Sequence, residues 1–251
     1  MPAKANAEWQ KWGEVDPLWG VASWAGKSRA DGEPWREDEF YAMGESDWRD
    51  FVAHWTQYGV TPGICVEIGC GAARLTRPMA SFFEHTHGVD VAEGMLAKAR
   101  PAVDGLPVTL HLSDGVRLPL DDASVDAAFS THVFQHLDSV EDVLAYWREI
   151  TRVLRPGGTL MVHLPVHLWP GGLEPLEHAY SARRVLGDVR ANIKRRRMER
   201  AGGPPIMRGR SYAWSWIEAT LRGLGFRDVE LRVFRTTVND GVHPFVLARA
   251  A

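Results

Sequence analysis

Val66-Glu67-Ile68-Gly69-Cys70-Gly71-Ala72-Ala73-Arg74-Leu75 is the stretch on which the fold turns. It reads as a buried strand that ends in an acid, bends through glycines and opens into a helix over about 74–83. Gly69 and Gly71 carry no side chain, so bare backbone can approach a ligand there. The N–H groups at the start of the helix would face anything electron-rich. A second acid sharpens the reading. Asp90 ends the next apolar segment, His87-Gly88-Val89-Asp90, 23 positions after Glu67. An acid about 20 residues beyond a glycine turn is placed to accept hydrogen bonds from ribose hydroxyls.

A dinucleotide fingerprint has a further glycine three positions after the second, where this chain has Arg74. Glu67 directly before the turn would repel a pyrophosphate. A cationic nucleoside suits the pair of acids better. The acid–Gly-x-Gly turn resembles the first motif of the class I S-adenosylmethionine-dependent methyltransferases, with Ala73 at the third glycine position. Alanine there costs little unless the position requires a positive φ.

The resemblance continues in order over about residues 60–165. Gly88 to Leu96 is similar to the second-strand motif. The family pattern then implies ribose binding by Asp90, with Val91 beside it, and adenine packing by Met95. Ser113-Asp114-Gly115 follows a strand at Val108–Leu112, and the pattern puts that acid near the adenine amino group. Leu118-Pro119-Leu120, the strand Val125–Ser130 and the turn Leu154–Leu160 also resemble family elements. The resemblance implies S-adenosyl-L-methionine as cofactor and S-adenosyl-L-homocysteine as product. The cofactor-binding residues it implies are Glu67, Gly69, Cys70, Gly71 and Arg74, then Asp90, Val91 and Met95, then Ser113, Asp114, Gly115, Ser130 and Thr131.

The expected fold is α/β, a Rossmann-like doubly wound seven-stranded sheet with the last strand antiparallel. Over 251 residues, 45% hydrophobic, one methyltransferase domain is expected with four parts. Residues 1–57 form an N-terminal prefix, 58–165 a cofactor-binding core, 166–212 a substrate-cap insertion, and 213–251 a helix with a strand hairpin. The prefix holds seven of the eleven tryptophans. A helix over about 37–58 is expected in it, whereas the region of Asp16–Lys27 looks too broken for a long one. The aromatics are either ordinary packing or a lid over the site, and the lid reading makes Trp19 and Trp24 substrate contacts. The best helix signal covers about 139–154, where Val143, Trp147, Ile150 and Val153 repeat at helical spacing behind a Ser139/Asp142 cap. A fifth strand is expected at Thr159–Leu164, then a helix at Trp214–Leu224 and strands at Phe226–Val233 and Pro244–Ala248.

The insertion is basic: from Arg183 to Arg210 ten basic residues stand against Asp188 and Glu199 alone. It is either a solvated face or a cap in which Arg208 and Arg210 hold an anionic group. The formal charge of −3 gives no general field towards nucleic acid. Cys65 and Cys70 fit neither a CxxC redox motif nor a paired metal site. With no secretion-type leader and no apolar run of membrane-spanning length, a cytoplasmic enzyme without a membrane association is expected.

For chemistry, the loop Ser130-Thr131-His132-Val133-Phe134-Gln135-His136-Leu137 follows the fourth strand. His132 and His136 are the candidate catalytic bases, since imidazole titrates near neutrality and an alcohol acceptor must lose a proton. His163, His167 and His243 could line an acceptor pocket. Their spacing has no metal-ligand pattern, so no metal is expected. The expected activity is methyl transfer to a small molecule, at a hydroxyl oxygen. A carboxyl methyltransferase, a nucleic-acid methyltransferase and a non-catalytic cofactor-binding module remain as rivals.

Overall fold

The computed structural model describes residues 4–24, 26–27, 32–167, 211–238 and 242–251. Seven strands form one sheet: β1 (Ile64–Ile68), β2 (His85–Asp90), β3 (Val108–Leu112), β4 (Val125–Ser130), β5 (Leu154–His163), β8 (Arg227–Arg235) and β9 (Val242–Arg249). Their order is β3-β2-β1-β4-β5-β9-β8, and β9 alone runs against its neighbours. The chain leaves β1 towards β2 on one side and later returns to β4 on the other. The carboxyl ends of β1 and β4 therefore flank a topological switch, where α/β sheets open a ligand crevice. A two-residue parallel pair, β6 (Val166–His167) and β7 (Tyr212–Ala213), stands outside the main sheet.

Helix α3 (Glu37–Tyr58), expected over about 37–58, covers one face of the sheet and ends on Gly59 at φ 98°. Its Trp48, Phe51 and Trp55 pack on Phe129, Met161 and Phe245. The Trp55 indole N–H donates to Thr159 Oγ1 at 3.1 Å, so the buried ring is not left with an unmet donor. On the other face α6 (Val140–Val153) and α7 (Trp214–Gly223) bury Trp147, Ile150, Ile217 and Leu221. The expected cap of α6 is a reciprocal box between Ser139 and Asp142.

Three expectations are corrected. The helix after the glycine turn is α4 (Thr76–Met79), four residues long, because Pro78 contributes no N–H and the chain tightens into i→i+3 turns. There Ser81 N–H donates to Pro78 O and Phe82 N–H to Met79 O. Strand β5 starts at Leu154, five residues early: β9 captures the Pro-Gly-Gly segment through Gly157 N–H to Ala250 O and Ala250 N–H to Gly158 O. The prefix is also more helical than expected, with α1 (Lys4–Val15) and α2 (Pro17–Val21). Gly13 and Gly94 let α1 meet α5 (Glu93–Ala99) backbone to backbone, and a Cβ on either would collide with the other helix. Among the described residues no helix is long and apolar enough to cross a membrane.

Candidate active site

The glycine turn sits at the carboxyl end of β1. Gly69 and Gly71 have φ 75° and 52°, and a Cβ on them would run into Val133 and Val21. Ala73 also has a positive φ, 62°, so alanine at that position is strained rather than neutral. The turn's own N–H groups are largely engaged. Gly69 and Cys70 donate to Val89 O, and Gly71 donates to Asp90 Oδ2 at 2.8 Å. The polar anchor is thus the Asp90 carboxylate, not a helix terminus. Its Oδ1 accepts from Ala92 N–H at 2.9 Å. Burial raises the Asp90 pKa, and the N–H groups of Ala92, Gly71 and Val91 oppose the rise.

Glu67 lies behind the turn, 2% exposed, with Oε2 accepting from the Thr76 hydroxyl at 2.5 Å. Burial pushes it up to about 7, the Thr76 hydroxyl and Arg74 pull it down, and Asp90 adds to the rise.

Asp90, Gly69 and Gly71 form part of the wall of a cavity of about 470 Å³, within the size range of small-molecule sites. Helices α1 and α2 contribute Asn6, Trp9 and Val21 to its wall, and Ser23 and Trp24 follow. Asn6 Nδ2 donates to Asp114 O at 2.6 Å, and the Trp9 ring stands edge-on to His136 at 5.2 Å. Helix α3 adds Asp47, whose Oδ2 pairs with Arg74 Nη1 at 2.5 Å. Both are buried, at 7% and 6% exposure. Asp47 Oδ1, Arg74 Nε and the Thr131 hydroxyl are buried without a hydrogen-bond partner. Such orphaned atoms beside a cavity fit a polar ligand. Gly44, one turn before Asp47, admits the Arg74 backbone where a Cβ would collide with it.

Three histidines gather beside the main cavity, and two of them, His132 and His243, line it. Register brings them together: Ser130 pairs with Val162, next to His163, and His163 pairs with Phe245, two residues after His243. His132 follows β4 at φ 59°. The ring centroids of His132 and His163 are 4.2 Å apart, and His243 lies 5.7 and 5.6 Å from them. Burial, then Arg74 and the other imidazoles, lowers His132 to about 3, while a hydrogen bond with Gln135 opposes this. His163 is held well below the ordinary histidine value, first by burial. His243 is lowered by burial, with Asp47 pulling it back up. His132 and His243 also border a second cavity, of about 590 Å³, which His163 lines.

Most residues expected at the site line the main cavity: Gly69, Gly71, Arg74, Asp90, Val91 and Met95, with Ser113, Thr131, His132 and His136, and with Trp24 and His243 on the acceptor side. Others do not. Ser130 donates its hydroxyl to Ile68 O. The Asp114 carboxylate accepts from Val116 and Arg117 N–H and is turned outward. Gly115, at φ 94°, makes room for Asn6. Cys70 is buried, its thiol pushed up by burial and then by Asp90. Trp19 packs on Trp12 at 4.7 Å. The side chain of His167, and Arg208 and Arg210 entirely, lie outside the described residues. Asn6, Trp9, Met43, Asp47 and Tyr146 are lining residues absent from the sequence reading. Asp47 had a signal: it is an acid on the buried stripe Phe40, Gly44, Phe51 and Trp55 of α3.

The sheet order is that of a Rossmann-like methyltransferase fold. Residues 66–162 match the family model described as a methyltransferase domain. It is 35% identical over 107 residues to a malonyl-acyl-carrier-protein O-methyltransferase of Methylococcus capsulatus, covering 41% of this chain and 37% of that one. It is 31% identical over 119 residues to a sterol 24-C-methyltransferase of Gibberella zeae, covering 45% and 30%. The matched segment thus spans about a third of the length of these curated relatives. Magnesium protoporphyrin IX methyltransferase of Synechocystis, solved with bound S-adenosylhomocysteine, has the same fold: TM-score 0.56, 17% identity, 88% of this chain and 90% of that one.

Proposed function

We propose that the chain transfers a methyl group from S-adenosyl-L-methionine to a small-molecule acceptor, at a hydroxyl oxygen. The observation that carries this reading is Asp90. Its carboxylate is held rigid by Gly71 and Ala92 N–H groups at the cavity wall, where it can accept from a ribose hydroxyl. Met95 and Val91 flank the nucleoside. Arg74 and the Thr131 hydroxyl hold the amino-acid end, where Arg74 Nε and Thr131 Oγ1 have no protein partner. The cofactor supplies an electrophilic methyl carbon on a sulfonium.

The chain's part is alignment and exclusion of water. Helices α1 and α2, seated on α5 through Gly13 and Gly94, act as the lid. The acceptor occupies the side of the cavity bounded by Trp24, His132 and His243. An imidazole lowered to about 3 holds a proton poorly, so His132 presents a neutral lone pair while His136 takes the acceptor's proton. Arg208 and Arg210 are assigned to an anionic group of the acceptor, on their position in the sequence alone.

A carboxylate acceptor is the second reading, favoured by the similarity to the malonyl-acyl-carrier-protein enzyme; it needs no base. Incubation with methyl-labelled cofactor and panels of phenols, alcohols and carboxylic acids separates the two. Label in an ether supports the first reading, label in an ester the second. Binding of the cofactor with no turnover on any acceptor supports a non-catalytic module.

A further inference from the structure

Three imidazoles from three strand ends meet beside the cavity, and the methyl-transfer reading gives His163 no role. We propose that His132, His163 and His243 form a binding site for a divalent transition metal of the zinc type, with one coordination position open to the acceptor side of the cavity. The candidate ligand atoms all lie within 4.8 Å of one another. A tetrahedral site with Zn–N of about 2.0–2.1 Å holds its nitrogens roughly 3.3 Å apart, so the rings close by up to about 1.5 Å, a movement that side-chain torsions supply. The ligands come from the ends of β4, β5 and β9, adjacent strands locked in register, which is the rigid support a metal site needs.

Donor chemistry selects the metal. Three nitrogens and no carboxylate suit zinc, iron, copper or nickel rather than magnesium or calcium. His163 is 4% exposed and its Nδ1 has no hydrogen-bond partner, a cost that a bound cation removes. Gln135 and Asp47 line the same cavity as His132 and His243. Such neighbours orient ligand rings and offset a metal's charge. Three protein ligands with a fourth position free is the arrangement of catalytic rather than structural zinc. All three histidines line the second cavity, and His132 and His243 line the main one as well. The free position would take an acceptor oxygen, a phenol, an enol or a hydroxy acid, and lower its pKa. This last role rests on the methyl-transfer reading; metal binding does not.

The test uses the full chain, stripped with a chelator and titrated with Co(II) followed by visible absorption, with zinc then counted by elemental analysis. One metal per chain with the intense d–d bands of a four-coordinate nitrogen site is expected. Loss of a neighbouring orienting group costs about 10–100-fold in affinity, so loss of a ligand in His163→Ala should cost at least about 100-fold. His136→Ala should bind Co(II) as the unaltered chain does. If His163→Ala fails to fold, His243→Asn takes its place, and the titration of the unaltered chain decides by itself. Substoichiometric uptake, an octahedral spectrum or undiminished binding by the ligand variants overturns the site. S-adenosylhomocysteine binding, measured in parallel, separates the two ideas: cofactor binding without metal sinks the metal site alone, and metal binding without cofactor sinks the methyl-transfer reading alone.

Discussion

The two sides of the cavity are built in opposite ways. The nucleoside side is local: Gly69, Gly71 and Arg74 follow one strand, Asp90 ends the next, and Met95 stands on the helix after that. The histidine side is assembled at a distance, from residues 132, 163 and 243, which only the order β4-β5-β9 makes neighbours. The electrostatics differ too. Burial raises the pKa of the acids on the first side and lowers that of the imidazoles on the second. The Asp47–Arg74 pair links them. It lines the cavity, and both of its members act on His243.

The contrast is open to attack from each side. The largest effect is expected at the base. His136→Ala should lower kcat about 10²–10⁴-fold on an alcohol acceptor, with KM nearly unchanged. Equal loss with a carboxylate acceptor would mean that the residue shapes the pocket instead. Next is the link. Asp47→Ala leaves the Arg74 charge buried and alone and should destabilise the fold by about 3–5 kcal/mol in chemical denaturation. The double variant with Arg74→Met should recover part of that loss; no recovery would show that Asp47 acts through packing.

Glu67 tests the acid side through pH. Its folded pKa, about 7, lies above the ordinary glutamate value of 4.5. The stability from this raised value is complete below the unfolded pKa and is lost as pH rises through the folded one. The unaltered chain should lose up to roughly 3 kcal/mol between those values. Glu67→Gln should flatten that slope, and parallel pH curves for the two proteins would refute the assignment. The smallest effect is at Ala73, whose φ of 62° penalises a Cβ. Ala73→Gly should stabilise by about 0.5–1 kcal/mol, net of the freedom glycine adds to the unfolded chain.

The same division explains what could be read from the residues alone. Periodicity placed α6 because it has a long apolar stripe and a clear start at Ser139. The glycine turn was readable because its function is in its own backbone. Its helix was overextended because Pro78 acts against the apolar pattern of Met79, Phe82 and Phe83. Helix α1 was missed because Gly13 looks like a break, whereas it is the contact by which α1 meets Gly94. Ser130 and Asp114 carry family-like positions, yet their side chains bond Ile68 O and the turn at Val116–Arg117. The histidine cluster had no spacing to detect. It exists only through strand register, which a single sequence does not display.

The most direct test of the central claim is calorimetric titration of S-adenosylhomocysteine into the chain and into Asp90→Ala. One site per chain is expected, weakened at least tenfold in the variant, a loss of about 1.4 kcal/mol or more. No heat from the unaltered chain, or identical curves for the two proteins, would contradict it.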